Sequence, residues 1–199
     1  MLKPILPNVW QWSWFSQEKQ LDFNGLLLAV GEHRVVVDPP PLAPDEAGQV
    51  RRGGRIDYVV VTNRDHLREA VAYQRDWQCH LYVPELDAPQ MDVTPTRTYK
   101  DGELLPGGIW AVHLRDQKSP GECALFIQQR AGIMIVGDAL IGRPPGSLSM
   151  LPTEKYADPN LAKEGLRRLL KYQFETILVG DGMSLMTGAK TAVEACLNA

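Results

Sequence analysis

The 199-residue sequence has little cysteine and no long apolar run, and each absence excludes a class of protein. The three cysteines, Cys79, Cys123 and Cys196, are widely spaced, and none forms a C-x-x-C pair. We therefore expect free thiols in a reducing compartment rather than a disulfide framework. No segment approaches 18 consecutive apolar residues, and no apolar stretch of signal-peptide length follows the first residues. These features predict a cytoplasmic protein without a membrane segment.

A strong charge of either sign is also missing. Lysine and arginine number 21 against 24 aspartates and glutamates, so the formal net charge is −3. Neither nucleic acid nor an anionic membrane is therefore expected as a partner, and a small molecule is the expected substrate. A hydrophobic content of 44% and a charged content of 23% are ordinary for globular chains. We expect one compact domain over residues 1–199, and the sequence leaves its oligomeric state open.

Short strands interrupted by helices dominate the predicted secondary structure. Strands are predicted at 9–15, 25–30, 34–37, 58–61, 81–83, 110–114, 123–127, 133–136 and 176–179. Helical spacing follows the strand at 58–61, and two later helices are predicted to begin at caps formed by Asp158 and Thr187. Leu161 and Leu166 belong to the predicted apolar stripe of the first of these. The order predicts an α/β (α+β) fold with two packed sheets and helices outside them.

Carboxylates follow several of these strands, where a rigid strand can hold a reactive side chain in an exposed loop. Asp65-His66 follows the strand at 58–61, Asp138 follows Gly137, and Asp181 lies between two glycines. Asp38 also ends a strand, although a proline comes directly after it. His66 differs from the other histidines in standing next to a carboxylate at a strand end. It is therefore the histidine that we expect in a site.

Six short motifs occur in a characteristic order along the chain. They are Asn24-Gly25, Val36-Val37-Asp38, Asp65-His66, Ser119-Pro120-Gly121, Gly137-Asp138 and Gly180-Asp181-Gly182. In this order they resemble the metallo-β-lactamase fold superfamily over nearly the whole chain. The resemblance implies a four-layer αββα sandwich of two mixed sheets, with metal held at one edge by the loops between strands.

The family's metal signature is only partly present. The family has His-x-His-x-Asp-His, but here Val61 and Asn63 stand at the two early histidines, or a shorter loop places Asn63 at the first. The later histidine of the family falls on Lys118 and the last one on Asp181. By this resemblance, the first metal position has lost all of its nitrogen ligands.

The second metal position keeps residues that can bind a metal. The resemblance places Asp65, His66, Asp138 and Asp181 there. One imidazole with three carboxylates suits manganese or iron at least as well as zinc. The expected cofactor is therefore one divalent ion (Zn, Mn or Fe), and a metal-free protein is the alternative.

Lys118 separates two hypotheses. Crowded carboxylates need a nearby positive charge, and an ammonium at the first metal position would supply it. In the first hypothesis the chain is a metal-dependent hydrolase with a mononuclear site, Lys118 and Asp65 are catalytic, and the substrate is an ester, thioester or phosphoester. In the second, Lys118 pairs with Asp138, no metal binds, and the chain is a ligand- or protein-binding module. Participation of Asn63 or His113 stays open in both.

Overall fold

The computed structural model describes residues 2–199, and in these residues it contains two mixed sheets. The first sheet has seven strands in chain order: β1 (Lys3–Leu6), β2 (Val9–Ser16), β3 (Leu21–Val30), β4 (His33–Val37), β5 (Tyr58–Val60), β6 (His80–Pro84) and β7 (Arg97–Tyr99). β1 to β4 pair antiparallel, whereas β4 to β7 pair parallel. The parallel strands therefore end at the same edge of the sheet.

The second sheet has the strand order β12-β11-β10-β9-β8. Its strands are β8 (Leu104–Leu105), β9 (Ile109–His113), β10 (Cys123–Ile127), β11 (Ile133–Val136) and β12 (Thr176–Val179). β8 to β11 pair antiparallel, and β11 pairs parallel with β12. The loops after β11 and β12 consequently leave the sheet side by side.

Helices cover the outer faces of both sheets and complete four layers. They are α1 (Pro44–Arg52), α2 (Ala70–Trp77), α3 (Pro159–Leu166) and α4 (Ala189–Asn198). The first two pack on the first sheet around Trp12 and Leu81, and the last two pack on the second sheet around Met134. Leu28 and Leu125 belong to the core between the sheets. Two-sided burial explains why the strands are apolar runs, and the αββα architecture that the resemblance implied is confirmed.

Most predicted elements are present, and three details differ. The Asp158 carboxylate caps α3 as predicted, because its Oδ1 accepts a bond of 2.8 Å from the backbone N of Asn160. Thr187 does not cap α4; the cap position is Gly188, which adopts φ 64° and offers no side chain. Leu161 lies outside the buried stripe and is 51% exposed. Helix α1 and the short strands β1, β7 and β8 were not predicted from the sequence.

Two expectations about the chain as a whole can be compared with the fold. The three cysteines are free thiols, and Cys79 and Cys123 are buried, in agreement with the prediction of no disulfide framework. Across residues 2–199, none of the helices combines the length and the apolar character that crossing a membrane requires.

Candidate metal centre

Loops from both sheets meet at one edge of the sandwich. The residues they bring there are Asp38 after β4, Asp65 and His66 after β5, Asp138 after β11 and Asp181 after β12. Backbone bonds join the two sheets at this edge, because Asn24 N donates to Gly180 O at 2.7 Å and Cys123 N donates to Thr62 O at 3.0 Å. The site is therefore built on rigid strand ends.

A short 3₁₀ turn, Arg64–His66, sets the direction of the His66 side chain. Asn63 begins this turn, and its Oδ1 accepts bonds from the backbone N of Asp65 at 2.9 Å and of His66 at 3.0 Å. Because Asn63 uses its carboxamide oxygen in this way, it acts as a cap rather than as a ligand. His66 is buried, with 2% of its surface exposed.

The imidazole of His66 is fixed on two sides. Its Nδ1 lies 2.8 Å from Asp38 Oδ2, and Asp38 in turn accepts bonds from the backbone N and the hydroxyl of Thr62 at 2.8 and 2.6 Å. A Cβ at Gly180 would lie 2.4 Å from the imidazole Cε1, so glycine is needed there for the ring to pack. In histidines that bind metals, a carboxylate commonly holds one ring nitrogen and so fixes the orientation of the ring and of the second nitrogen.

The second ring nitrogen of His66, Nε2, faces two carboxylates. His66 Nε2 lies 3.5 Å from Asp138 Oδ1 and 3.9 Å from Asp181 Oδ1. One donor atom from each of the three residues falls within 4.8 Å of the other two, and all three side chains are buried. One imidazole and two carboxylates are a suitable donor set for Zn²⁺, Mn²⁺ or Fe²⁺. These three side chains fit a single divalent ion.

The pKa of His66 reflects its surroundings. Burial and the Arg68 guanidinium lower this pKa, but Asp38 and Asp138 outweigh them and raise it to about 10. The imidazole is therefore protonated at neutral pH in the metal-free protein. Its Nε2 must lose a proton before that nitrogen can bind an ion.

Lys118 joins two carboxylates at the mouth of the site. Its Nζ lies 2.7 Å from Asp138 Oδ2 and 3.0 Å from Asp65 Oδ2. Burial lowers the pKa of Lys118, but these two carboxylates outweigh it and raise the pKa. Burial raises the pKa of Asp138, but His66 and Lys118 hold it well below its usual range. The ammonium has three hydrogens, so two bonds leave one for another acceptor.

Arg68, which was not predicted as a site residue, places a second cation in the site. Its Nη2 lies 2.5 Å from Asp181 Oδ1 and 3.2 Å from His66 Nε2. Its backbone φ is +40°, and its guanidinium stacks over the Phe23 ring at 4.8 Å. Burial raises the pKa of Asp181, although His66 and Arg68 act in the opposite direction. The one available sequence signal was its position two residues after His66.

Two buried polar atoms behind the site lack a partner among the described residues. They are Glu122 Oε2 and Asn63 Nδ2. A Cβ at Gly137 would lie 2.6 Å from Asn63 Nδ2 and 3.1 Å from Glu122 Oε1, so glycine allows both side chains to approach. Burial raises the pKa of Glu122 well above its usual value, and the nearby Asp138 carboxylate adds to this. Both influences favour the neutral form of the Glu122 carboxyl.

The site opens into a cavity of about 540 Å³, a volume suited to a small molecule. His66, Asp138 and Asp181 are among its lining residues. The rest of its lining divides into an apolar part and a basic part. The apolar part is Leu21, Phe23, Ile141, Leu151 and Pro152, and the basic part includes Lys19, Arg143 and Lys155.

The predicted site residues fall into two groups. His66, Asp138 and Asp181 form the potential metal group, whereas Asp65 is outside it, 40% exposed and bound to Lys118. Asp65 reaches the site through that ammonium. His113 faces elsewhere, since its Nε2 lies 2.9 Å from Pro120 O and its side chain lines a different cavity.

A family of known sequences and several solved structures share this architecture. A family model described as the metallo-beta-lactamase superfamily matches residues 2–197. Among solved structures, the metallo-beta-lactamase DIM-1 superposes with a TM-score of 0.78 at 14% identity, over 100% of this chain and 96% of its own. A metallo-beta-lactamase from Pontibacter korlensis gives 0.73 at 16% identity, over 100% and 98%. FIM-1 from Pseudomonas aeruginosa, in its mono-zinc form, gives 0.71 at 17% identity, over 99% and 93%.

At these identities the structural neighbours show the fold alone, and the family model decides the assignment. No curated protein sequence matches the chain. The family model covers almost every residue of the chain. The chain belongs to the metallo-β-lactamase superfamily.

Proposed function

We propose that this chain is a metal-dependent hydrolase that works with one divalent ion, bound by His66, Asp138 and Asp181. The observation that carries the proposal is the convergence of one donor atom from each residue within 4.8 Å at a cavity wall. Superfamily membership suggests the same class of chemistry. FIM-1, a structural neighbour, is described in a mono-zinc form, which supports a single ion on this fold.

A bound ion would activate water and polarise the oxygen of the scissile bond. The chain's own residues would prepare the site for it. Asp38 holds His66 Nδ1, so Nε2 is the nitrogen presented to the cavity. Lys118 keeps one ammonium hydrogen for the negative charge that develops on the substrate oxygen. In this proposal Asp65 positions Lys118.

The cavity wall favours a negatively charged substrate with an apolar part. All three carboxylates that line the cavity already contact a cation: Asp65 and Asp138 contact Lys118, and Asp181 contacts Arg68. The exposed Arg143 and Lys155 lie on the same wall, so an anionic group would meet positive charge there. Together with the apolar part of the lining, this suits an anionic ester, thioester or phosphoester.

One observation favours the second hypothesis, a metal-free binding module. Lys118 and Arg68 both pair with carboxylates of the site. They therefore already supply positive charge that metal ions would otherwise bring. In that case the cavity would bind an anionic small molecule without hydrolysing it.

Metal analysis of protein purified without a histidine tag separates the two. After removal of metal and reloading with Zn²⁺ or Mn²⁺, we expect one ion per chain in the wild type and a strong loss in Asp138→Asn. Asp101→Asn is the matched control, because Asp101 pairs with Arg168 away from the site. Hydrolysis of anionic nitrophenyl esters and phosphoesters should follow the metal content. A folded wild type that binds neither ion would exclude the metal-dependent mechanism.

A further inference from the structure

Arg68 is held more firmly than a solvent-exposed arginine would be. Nη1 donates to the carbonyl oxygens of Asn24 at 2.9 Å and Asp38 at 3.1 Å, and Nη2 donates to Gly180 O at 3.3 Å and to the Asp181 carboxylate at 2.5 Å. These four acceptors match the four hydrogens of the two terminal nitrogens. The Arg68 side chain is 9% exposed. The guanidinium is therefore a built part of the site.

The backbone of Arg68 gives a second, independent indication. Its φ of +40° lies in the left-handed region, which is unfavourable for a residue with a Cβ. Asp38, whose carbonyl receives the guanidinium, has φ +47°. Strained positions persist where the surrounding structure requires a specific side-chain placement. Here that placement brings the guanidinium to Asp181 Oδ1 and His66 Nε2, two of the donor atoms proposed for a metal ion.

Arg68 Nη2 contacts two of the three donor atoms proposed for the metal, Asp181 Oδ1 and His66 Nε2. A guanidinium has no lone pair to offer an ion, and two cations sharing one carboxylate oxygen repel each other. We propose that Arg68 is a resident cation that a divalent ion must displace, so that metal binding and the observed position of Arg68 exclude each other. This inference rests on the proposed metal site.

The proposal explains how the metal-free site tolerates its carboxylates. With Arg68 in place, the buried Asp181 has a counter-charge and the carbonyls of Asn24, Asp38 and Gly180 have a donor. An incoming ion replaces the counter-charge but leaves these three carbonyls without the guanidinium. The loss of these bonds weakens metal binding, and the displaced guanidinium enters the cavity that it already lines. Metal occupancy is therefore set by competition within the chain.

The test compares metal affinities in variants of the full chain. Arg68→Gly removes the cation and suits φ +40°, because glycine adopts that conformation freely. We expect it to bind Mn²⁺ and Zn²⁺ at least tenfold more tightly than the wild type in titration calorimetry. Arg68→Lys, which keeps the charge but loses the planar fork, should fall between them. Arg64→Ala is the control, since Arg64 bonds Gln90 and does not line the cavity, and its affinity should stay within about twofold.

The outcomes separate this inference from the proposed function. If folded wild type and Arg68→Gly bind Mn²⁺ with equal affinity, the resident-cation proposal is wrong and the metal site stands. If neither folded protein binds Mn²⁺ or Zn²⁺, both proposals are wrong. If Arg68→Gly is unfolded without metal, refolding on addition of Zn²⁺ supports the proposal. If that variant stays unfolded with Zn²⁺, Arg68→Lys decides, and wild-type affinity in Arg68→Lys contradicts the proposal.

Discussion

The two cations of the site differ in how they are held. Lys118 bonds two carboxylates, is 30% exposed and keeps one hydrogen for a further acceptor. Arg68 is 9% exposed, and both of its terminal nitrogens are fully engaged, mainly by backbone carbonyls. The difference assigns them different roles. Lys118 keeps one hydrogen with which it can bind a substrate, whereas all four terminal hydrogens of Arg68 bind acceptors of the chain itself.

The largest expected effect is on stability, and it tests this difference directly. Arg68→Met leaves the buried Asp181 without its closest counter-charge, which should lower the free energy of unfolding by about 3–5 kcal/mol in metal-free protein. Lys118→Met, a matched loss of one charge, should cost only about 1–2 kcal/mol because that ammonium is more exposed. Urea unfolding of both variants measures this. Equal losses would show that the two cations do not differ in role.

A smaller effect concerns catalysis at Lys118. If its third hydrogen stabilises developing negative charge, Lys118→Ala should lower kcat by about 10²–10³-fold. Metal content should not fall below that of the wild type, because Lys118 is not among the three proposed ligands. The measurement is steady-state hydrolysis of an anionic nitrophenyl ester together with metal analysis. An unchanged kcat would remove Lys118 from the proposed mechanism.

The smallest effect concerns the pH dependence of stability at Glu122, the buried carboxyl near Asp138. The pKa of Glu122 is raised in the folded protein, so the folded state binds its proton more tightly than the unfolded state. Its contribution to stability is therefore largest below about pH 4.5 and declines as the pH rises toward the folded-state pKa. Glu122→Gln keeps the neutral form at every pH.

We expect Glu122→Gln to raise Tm relative to the wild type, with a difference that grows between pH 5 and pH 8. For a chain of this length, about 2–4 °C corresponds to 1 kcal/mol. Thermal unfolding at a series of pH values provides the comparison, and Glu194→Gln, at an exposed glutamate of α4, is the control. A difference in Tm that is constant with pH would show that Glu122 does not titrate as proposed.

Local patterns in the sequence predicted most of the fold. Alternating or continuous apolar runs mark strands such as Cys123–Ile127, and the Asp158-Pro159 pair marks the start of α3. Thr187 failed as a cap because the neighbouring Gly188 reaches the left-handed conformation more easily and takes that position. The capping preference of a residue therefore fixes the start of a helix only where a neighbouring residue does not take the cap position.

The site was predicted less completely than the fold. Asp138 and Asp181 come together because they follow the parallel pair β11 and β12, whereas His66 follows β5 of the other sheet and reaches them only because the two sheets pack together. The separation of Asp65 from this group could not be inferred, since it depends on Asn63 capping one turn and on Lys118 reaching Asp65 from another loop. The prediction had given Asp65 the same role of metal ligand as His66, Asp138 and Asp181.

By itself, the sequence determined two packed sheets with helices outside them, because these depend on local periodicity and on the order of the elements. The edge where the carboxylates gather was implied by the family resemblance. Only the tertiary structure decided which cation accompanies each carboxylate. Arg68 and Asp181 are 113 residues apart in the chain, and their 2.5 Å contact depends on a left-handed turn and on the packing of two sheets. Contacts of this kind follow from the relative placement of distant segments, which no local pattern encodes.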